Sequence, residues 1–178
     1  VVASDELERG LDGVDEGLTA IGNAIEEDGM PGSEEEVSAR LRRRVELMPM
    51  AQTLWLLDRH GAGVAGSDSI GFPEAESFRP ALKPAGIDGL AFSPPFQDSH
   101  AAHPLVAIAS SVDTARFGWV VAGVPVDALL GAFQAALPED EAQMLVYRRD
   151  GTLLASTPGA SHPVSRQSRL VEQIPIEP

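Results

Sequence analysis

The sequence contains no cysteine. A disulfide framework and thiolate chemistry are both excluded. Basic residues are scarce: 13 Lys and Arg stand against 27 Asp and Glu, a formal net charge of −14 over 178 residues. Nucleic acid and anionic lipid faces both call for a basic surface, so neither is an expected partner. No apolar run is long enough to span a bilayer, and no signal peptide opens the chain. It begins Val1-Val2 without a methionine and stops at Ile176-Glu177-Pro178. That reads as a piece of a longer protein, with any membrane anchor outside it. No G-x-S-x-G, H-E-x-x-H or phosphate-loop motif is present, so no enzyme activity and no cofactor are expected.

What is present begins with a helical pattern. Leu7, Leu11, Val14, Leu18, Ile21 and Ile25 repeat at spacings of 4, 3, 4, 3 and 4, an apolar seam along one helix face. Gly10, Gly13, Gly17 and Gly22 weaken that helix by up to roughly 1 kcal/mol each against Ala, so it needs packing to persist. The seam is either laid against its own domain or paired with a second copy, which makes a homodimer through this helix one expectation. Asp28-Gly-Met-Pro-Gly32 breaks the helix. Ser33 to Glu36 then fits a capping box. Acids lead the second helix and Arg40, Arg42, Arg43 and Arg44 follow, which suits the helix dipole. The arginines read as a solvated face, with an anion site as the sharper alternative.

From Ala51 the period changes. Thr53 to Leu57 is a strand, Asp58-Arg-His-Gly61 a tight turn and Ala62 to Gly66 the returning strand. Residues 67–90 are rich in Gly, Pro and Ser and read as an irregular crossing. Phe92 to Phe96 is a short strand that Pro94 and Pro95 confine to an edge. His103 to Val112 and Phe117 to Val126 form a second hairpin. Asp127 caps a helix that runs through Leu137. The hairpin pattern then recurs. LWLLDRHGAGVAGS from Leu54 overlays MLVYRRDGTLLAST from Met144 without a gap, bringing Arg59 onto Arg149, Gly61 onto Gly151 and Ala65 onto Ala155. Residues 159–178 read as an irregular tail. The fold class is α+β: a five-stranded antiparallel sheet with the long N-terminal helix covering one face. Three segments follow: N-terminal helices over 1–48, the sheet domain over 49–137, and a hairpin with its tail over 138–178.

This succession resembles the extracytoplasmic Cache (PAS-like) sensor domains of bacterial receptors. Pro49 to Gly61 looks like the family's first hairpin, with its D-x-x-G turn. Phe92 to Gln97 looks like its third strand, Leu105 to Ser111 its fourth, and Phe117 to Leu130 its fifth strand running into a helix. Arg148 to Pro158 looks like the opening hairpin of a second, membrane-proximal module, as in the double-Cache receptors attached to diguanylate cyclases and histidine kinases. The resemblance implies the periplasmic or extracellular portion of an inner-membrane signalling protein that binds a small molecule between the sheet and the irregular crossing.

The resemblance also directs attention to particular residues. An amino-acid-binding subset of the family places an Arg, a Trp and a Tyr on the crossing and an Asp in the fifth strand. Phe78-Arg-Pro-Ala81 lies on the Tyr end of that motif, which puts Ala75 at the Arg position and Ser77 at the Trp position. The strand Asp falls near Pro125, with Asp127 two residues on. Both charged clamps are missing from their places, which argues against an amino acid. Arg79 and Lys83 beside Phe78 offer instead to hold a carboxylate, so a small organic acid is the expected ligand. Ser93, Ser110 and Ser111 are candidate hydrogen-bond partners, although Ser110 and Ser111 point to opposite faces of a strand. Trp119 joins them as a pocket aromatic, with core packing as its other reading. His100-Ala-Ala-His103 near Asp98 has two metal-type ligands but no evident completion, so no metal is expected. The alternative function is a structural or dimerising ectodomain without a small ligand. A hydrolase would rest only on scattered Ser, His and Asp, with no triad discernible.

Overall fold

A computed structural model describes residues 2–68, 90–97, 101–134, 145–147 and 153–156. The apolar seam folds as a single helix, α1 (Val2–Asp28). Val14, Leu18, Ile21 and Ile25 are all buried in the chain's own core. A dimer built on α1 would therefore have to use another face of the helix. Two of the glycines that weaken it have a packing role. A Cβ on Gly17 would stand 2.6 to 2.8 Å from the side chain of Met48, and one on Gly10 would run into Met50. Met48 and Met50 lie on the segment that follows the next helix, and they reach the α1 backbone through these gaps. α1 ends where Gly29 turns left-handed at φ 66°, its N–H donating 2.8 Å to the Ile25 carbonyl. Met30 shares the left-handed conformation at φ 44° and is buried.

The capping box predicted at Ser33 is present. The hydroxyl of Ser33 accepts from the Glu36 N–H at 3.3 Å, and the Glu36 carboxylate accepts from the Ser33 N–H at 2.8 Å. It opens α2 (Glu34–Val45), whose Val37 and Leu41 are buried. Acids in the first turn and arginines in the last oppose the helix dipole at both ends.

Five strands follow: β1 (Thr53–Leu57), β2 (Gly63–Gly66), β3 (Ala91–Phe92), β4 (Leu105–Ser111) and β5 (Trp119–Pro125). They make one antiparallel sheet in the order β2-β1-β5-β4-β3. All five residues of β1 are buried, as the apolar run Thr53-Leu-Trp-Leu-Leu57 requires of an inner strand. Side chains alternate between two faces. Leu54, Leu56, Val106, Ile108, Val120, Ala122 and Val124 form the first face and pack on α1 and α2. The α+β fold expected from the sequence is the fold found. β3 is shorter than the expected strand over 92–96: it stops before Pro94-Pro95, and Phe96 returns only as an isolated bridge to Leu105. β5 runs directly into α3 (Val126–Gln134), so Asp127 stands inside the first turn rather than at the cap. The Val126 N–H donates 2.9 Å to the Pro104 carbonyl at that junction.

The repeated hairpin is a structural repeat. β1 pairs Trp55 with Gly66, Leu56 with Ala65 and Leu57 with Gly63, with a bulge between Leu56 and Leu57. β6 (Leu145–Tyr147) and β7 (Leu153–Ser156) pair Leu145 with Ser156, Val146 with Ala155 and Tyr147 with Leu153, with a bulge between Val146 and Tyr147. Every pair and the bulge correspond under the ungapped overlay. β6 and β7 form a separate two-stranded sheet, and β7 packs against α3. The crossing over 69–89 and the tail over 159–178 lie outside the described residues.

Candidate functional site

The second face of the sheet differs in character from the first. It gathers Trp55, Leu57, Leu105, Ala107, Ala109 and Val121, with Phe96 and Ala101 beside them and Ala91 and Trp119 at the margin. Through the middle of β4 and β5 the first face carries Val106, Ile108, Val120 and Val124, whereas this one carries Ala107, Ala109 and Gly123 between Leu105 and Val121. Trp55 dominates the face. It is fully buried, and its indole Nε1 finds no acceptor among the described residues. Two glycines seat the ring. A Cβ on Gly66 of β2 would stand 3.1 Å from Cδ1, and one on Gly123 of β5 would stand 2.8 Å from Cη2 and 3.0 Å from Cζ3. The ring therefore lies across β1, with its N–H edge towards β2.

The polar groups around it are satisfied. The hydroxyls of Thr53 and Ser67 lie 3.1 Å apart, and the Ser67 hydroxyl accepts from the Leu54 N–H at 2.9 Å. Thr53, Ser67 and Ser93 are the buried polar side chains among the described residues, and none of the described buried residues is charged.

The residues singled out in the sequence fall in several places. Phe78, Arg79 and Lys83 lie outside the described residues, as do Asp98 and His100. Ser93 is buried, but its hydroxyl is engaged: it accepts from the Ala107 N–H at 2.9 Å and donates to the Pro94 carbonyl at 2.8 Å, continuing the β3–β4 ladder where β3 ends. Ser110 is half-buried on the first face, towards α1. Ser111 has the second-face register but is exposed at the end of β4. Trp119 pairs with Ser111 and Leu57 and is half-buried against the second-face cluster. Asp127 lies past the opposite end of β5, exposed, with its Oδ2 3.1 Å from His103 Nδ1. The structure thus brings Trp119 and Ser111 together at one margin of the second face and sets Ser110 and Asp127 apart from it. Trp55 went unnoticed in the sequence, where it is one aromatic in an apolar strand. Its signal is a pair of glycines, Gly66 opposite it on β2 and Gly123 diagonal to it on β5, and Gly123 becomes a neighbour only once the register is known.

Elsewhere, a groove of about 300 Å³ runs between α1 and α2. Ile21 and Met30 form its floor, and Arg40, Arg43, Arg44 and Leu47 its rim. The three arginines are exposed. At the far end of the sheet the two hairpin turns are tied together. Arg59 donates to the Thr114 carbonyl at 2.7 Å and to Asp113 at 2.8 Å. Asp58 closes its own turn by accepting from the N–H groups of Ala62 at 2.9 Å and His60 at 2.8 Å. The Ala62 bond is the largest influence holding its carboxyl below the usual carboxylate range.

No protein-family model matches the sequence, and no curated protein matches it. Solved structures do match. The extracellular domain of a protein named as a histidine kinase, rpHK1S-Z16, aligns over 88% of this chain and 68% of its own, with a TM-score of 0.68 and 18% identity. The ligand-binding domain of the Pseudomonas fluorescens chemoreceptor CtaA, in complex with L-valine, aligns over 89% of this chain and 71% of its own, with a TM-score of 0.64 and 19% identity. An extracellular ligand-binding receptor from Desulfohalobium retbaense aligns over 88% of this chain at a TM-score of 0.61 and 13% identity, and this chain spans 30% of that one. The chain has the fold of the ligand-binding sensor domains of bacterial chemoreceptors and histidine kinases, the Cache-type fold that its sequence resembles.

Proposed function

We propose that this chain is the extracytoplasmic small-molecule-sensing domain of a bacterial transmembrane receptor, of histidine kinase or diguanylate cyclase type, and that its ligand is a small organic acid. The observation that carries the reading is the unequal construction of the sheet. One face is filled by large aliphatic residues and closed by the helices. The other sets Ala107, Ala109 and Gly123 beside a buried tryptophan, with Leu57, Leu105 and Val121 around them. Concave, mostly apolar sites with few polar groups are where small ligands bind. Arg79 or Lys83, on the crossing, supplies the cation for the acid. An α-amino acid such as the L-valine bound by CtaA carries an ammonium group that would need a carboxylate partner when buried, and Pro125 stands near the fifth-strand position where the amino-acid-binding subset places its Asp.

The β6–β7 hairpin begins a second module of the same kind. Its register and bulge repeat those of the hairpin that opens the first. α3 joins the two, since it continues β5 and packs on β7. A ligand that binds one arrangement of the second face better than another biases α3 by that difference in affinity.

A thermal-shift screen against small carboxylates, amino acids, amines and divalent metals tests the reading. At about 100 times its dissociation constant a ligand adds roughly 2.7 kcal/mol of stability. For a domain of this size that is a rise of about 5–10 °C. The expected result is a carboxylate shift that is lost in Arg79→Ala or Lys83→Ala. Silence from every class would sink the sensing role.

A further inference from the structure

We infer that the indole N–H of Trp55 is a hydrogen-bond donor to the ligand of the second sheet face, and that this ligand joins a carboxylate to a small apolar body. The inference rests on the sensing role proposed above and names the group that would read the ligand there.

Buried polar atoms in folded proteins are almost always paired, and each exception calls for a reason. A tryptophan N–H usually finds an acceptor when buried. Left unpaired, it loses its hydration with no bond in exchange. In this chain the buried hydroxyls of Thr53, Ser67 and Ser93 are all bonded. Trp55 Nε1 is the exception among the described residues, on a side chain with no exposed surface.

The exception is held in place. Gly66 and Gly123 flank the ring on β2 and β5 so closely that a Cβ at either would press on it. The indole therefore lies across β1 with its N–H edge towards β2, in a seat that only glycine at both positions leaves open. A phenylalanine would fill the same face without stranding a donor. A fixed donor costs a ligand no ordering, which is what pre-organisation contributes to affinity.

The surroundings set the ligand class. The donor requires an acceptor, and an ionised oxygen is a stronger one than a neutral carbonyl. Ala107, Ala109 and Val121 offer only apolar contact, which suits a short aliphatic body.

The test uses three probes, isovalerate, 2-oxoisovalerate and L-valine, titrated into the intact chain by calorimetry and followed by melting temperature. Trp55 is replaced in two ways. Trp55→Phe removes the N–H and leaves a gap. Site-specific 3-benzothienylalanine keeps the bicyclic ring and puts sulfur where the N–H was. The two carboxylates are expected to bind, to move the Trp55 indole proton downfield, and to lose about tenfold to a hundredfold in affinity in both replacements. The ligand-free benzothienyl protein is expected to melt no lower than the parent, because no bond is lost. Carboxylate binding that survives the sulfur replacement overturns the inference and leaves the sensing role standing. A ligand-free melting point several degrees lower shows an acceptor within the protein and overturns it likewise. If none of the probes binds, the small-acid reading falls and takes the inference with it.

Discussion

Glycine shows how one residue type serves opposite ends within this chain. On α1 the sequence counts each glycine only as a weakness. The structure separates them. Gly17 and Gly10 admit Met48 and Met50, whereas a Cβ on Gly13 meets nothing within 4 Å. Gly13→Ala should therefore stabilise the domain by about 0.5–1 kcal/mol through helix propensity alone. Gly118 is the opposite case. Its Cβ would stand 2.8 Å from the Arg59 Cα and 2.9 Å from the Asp58 carbonyl oxygen. Backbone cannot swing aside as a methionine can. Gly118→Ala should cost about 1–3 kcal/mol, read as a lower urea midpoint. A Gly118→Ala protein as stable as the parent would mean that the two turns are not held together as described. None of this distinction was legible in the sequence, because it depends on which side chain or backbone arrives opposite each glycine.

Among the elements, the hairpins were the most legible. A turn signal between two apolar runs fixes a local structure, and the ungapped overlay of residues 54–67 on 144–157 carried the register with it. Strand ends were less legible. β3 closes early because Pro94 and Pro95 have no N–H to give the ladder, and α3 starts at Val126, one residue before the side chain that looked like its cap. The first hairpin also makes a pH prediction. The Asp58 carboxylate accepts two backbone N–H bonds, so its folded pKa lies below that of the unfolded chain. A depressed carboxyl contributes stability above the unfolded pKa and loses it as pH falls through the folded one. In Asp58→Asn the amide oxygen can accept the same bonds but does not titrate. The parent should exceed Asp58→Asn in stability by a constant margin near neutrality, and that margin should shrink below about pH 4. Guanidinium midpoints of the two proteins across that range decide the matter. A margin undiminished in acid would assign it to something other than the ionised carboxyl.

At the scale of the whole molecule the sheet works as a partition, with a core on one side and the candidate site on the other. The core side was legible, because the 4-3-4-3-4 seam of α1 declares a buried face and β4 and β5 read as continuous apolar strands. The seam alone did not say whether that face met another copy or the chain's own sheet. The site side was scarcely legible. Trp55 and Gly66 share a hairpin, but Gly123 stands far from both in sequence and meets them only through strand order and register. Serines chosen by type fell on the helix-packed face or into the ladder, as Ser110 and Ser93 did. If α1 is an integral wall of this partition, it should not melt separately. Leu18 has no exposed surface and belongs to the same cluster as Leu54, Ile108 and Val120. Leu18→Ala should cost about 2–5 kcal/mol, lowering the urea midpoint while the slope of the transition stays unchanged. Helical circular dichroism and tryptophan fluorescence should still fall together. If helix signal disappears first while the tryptophans keep their native emission, α1 is an independent arm. The second face would then keep its shape without α1, and a signal from that face would have to leave through α3 alone.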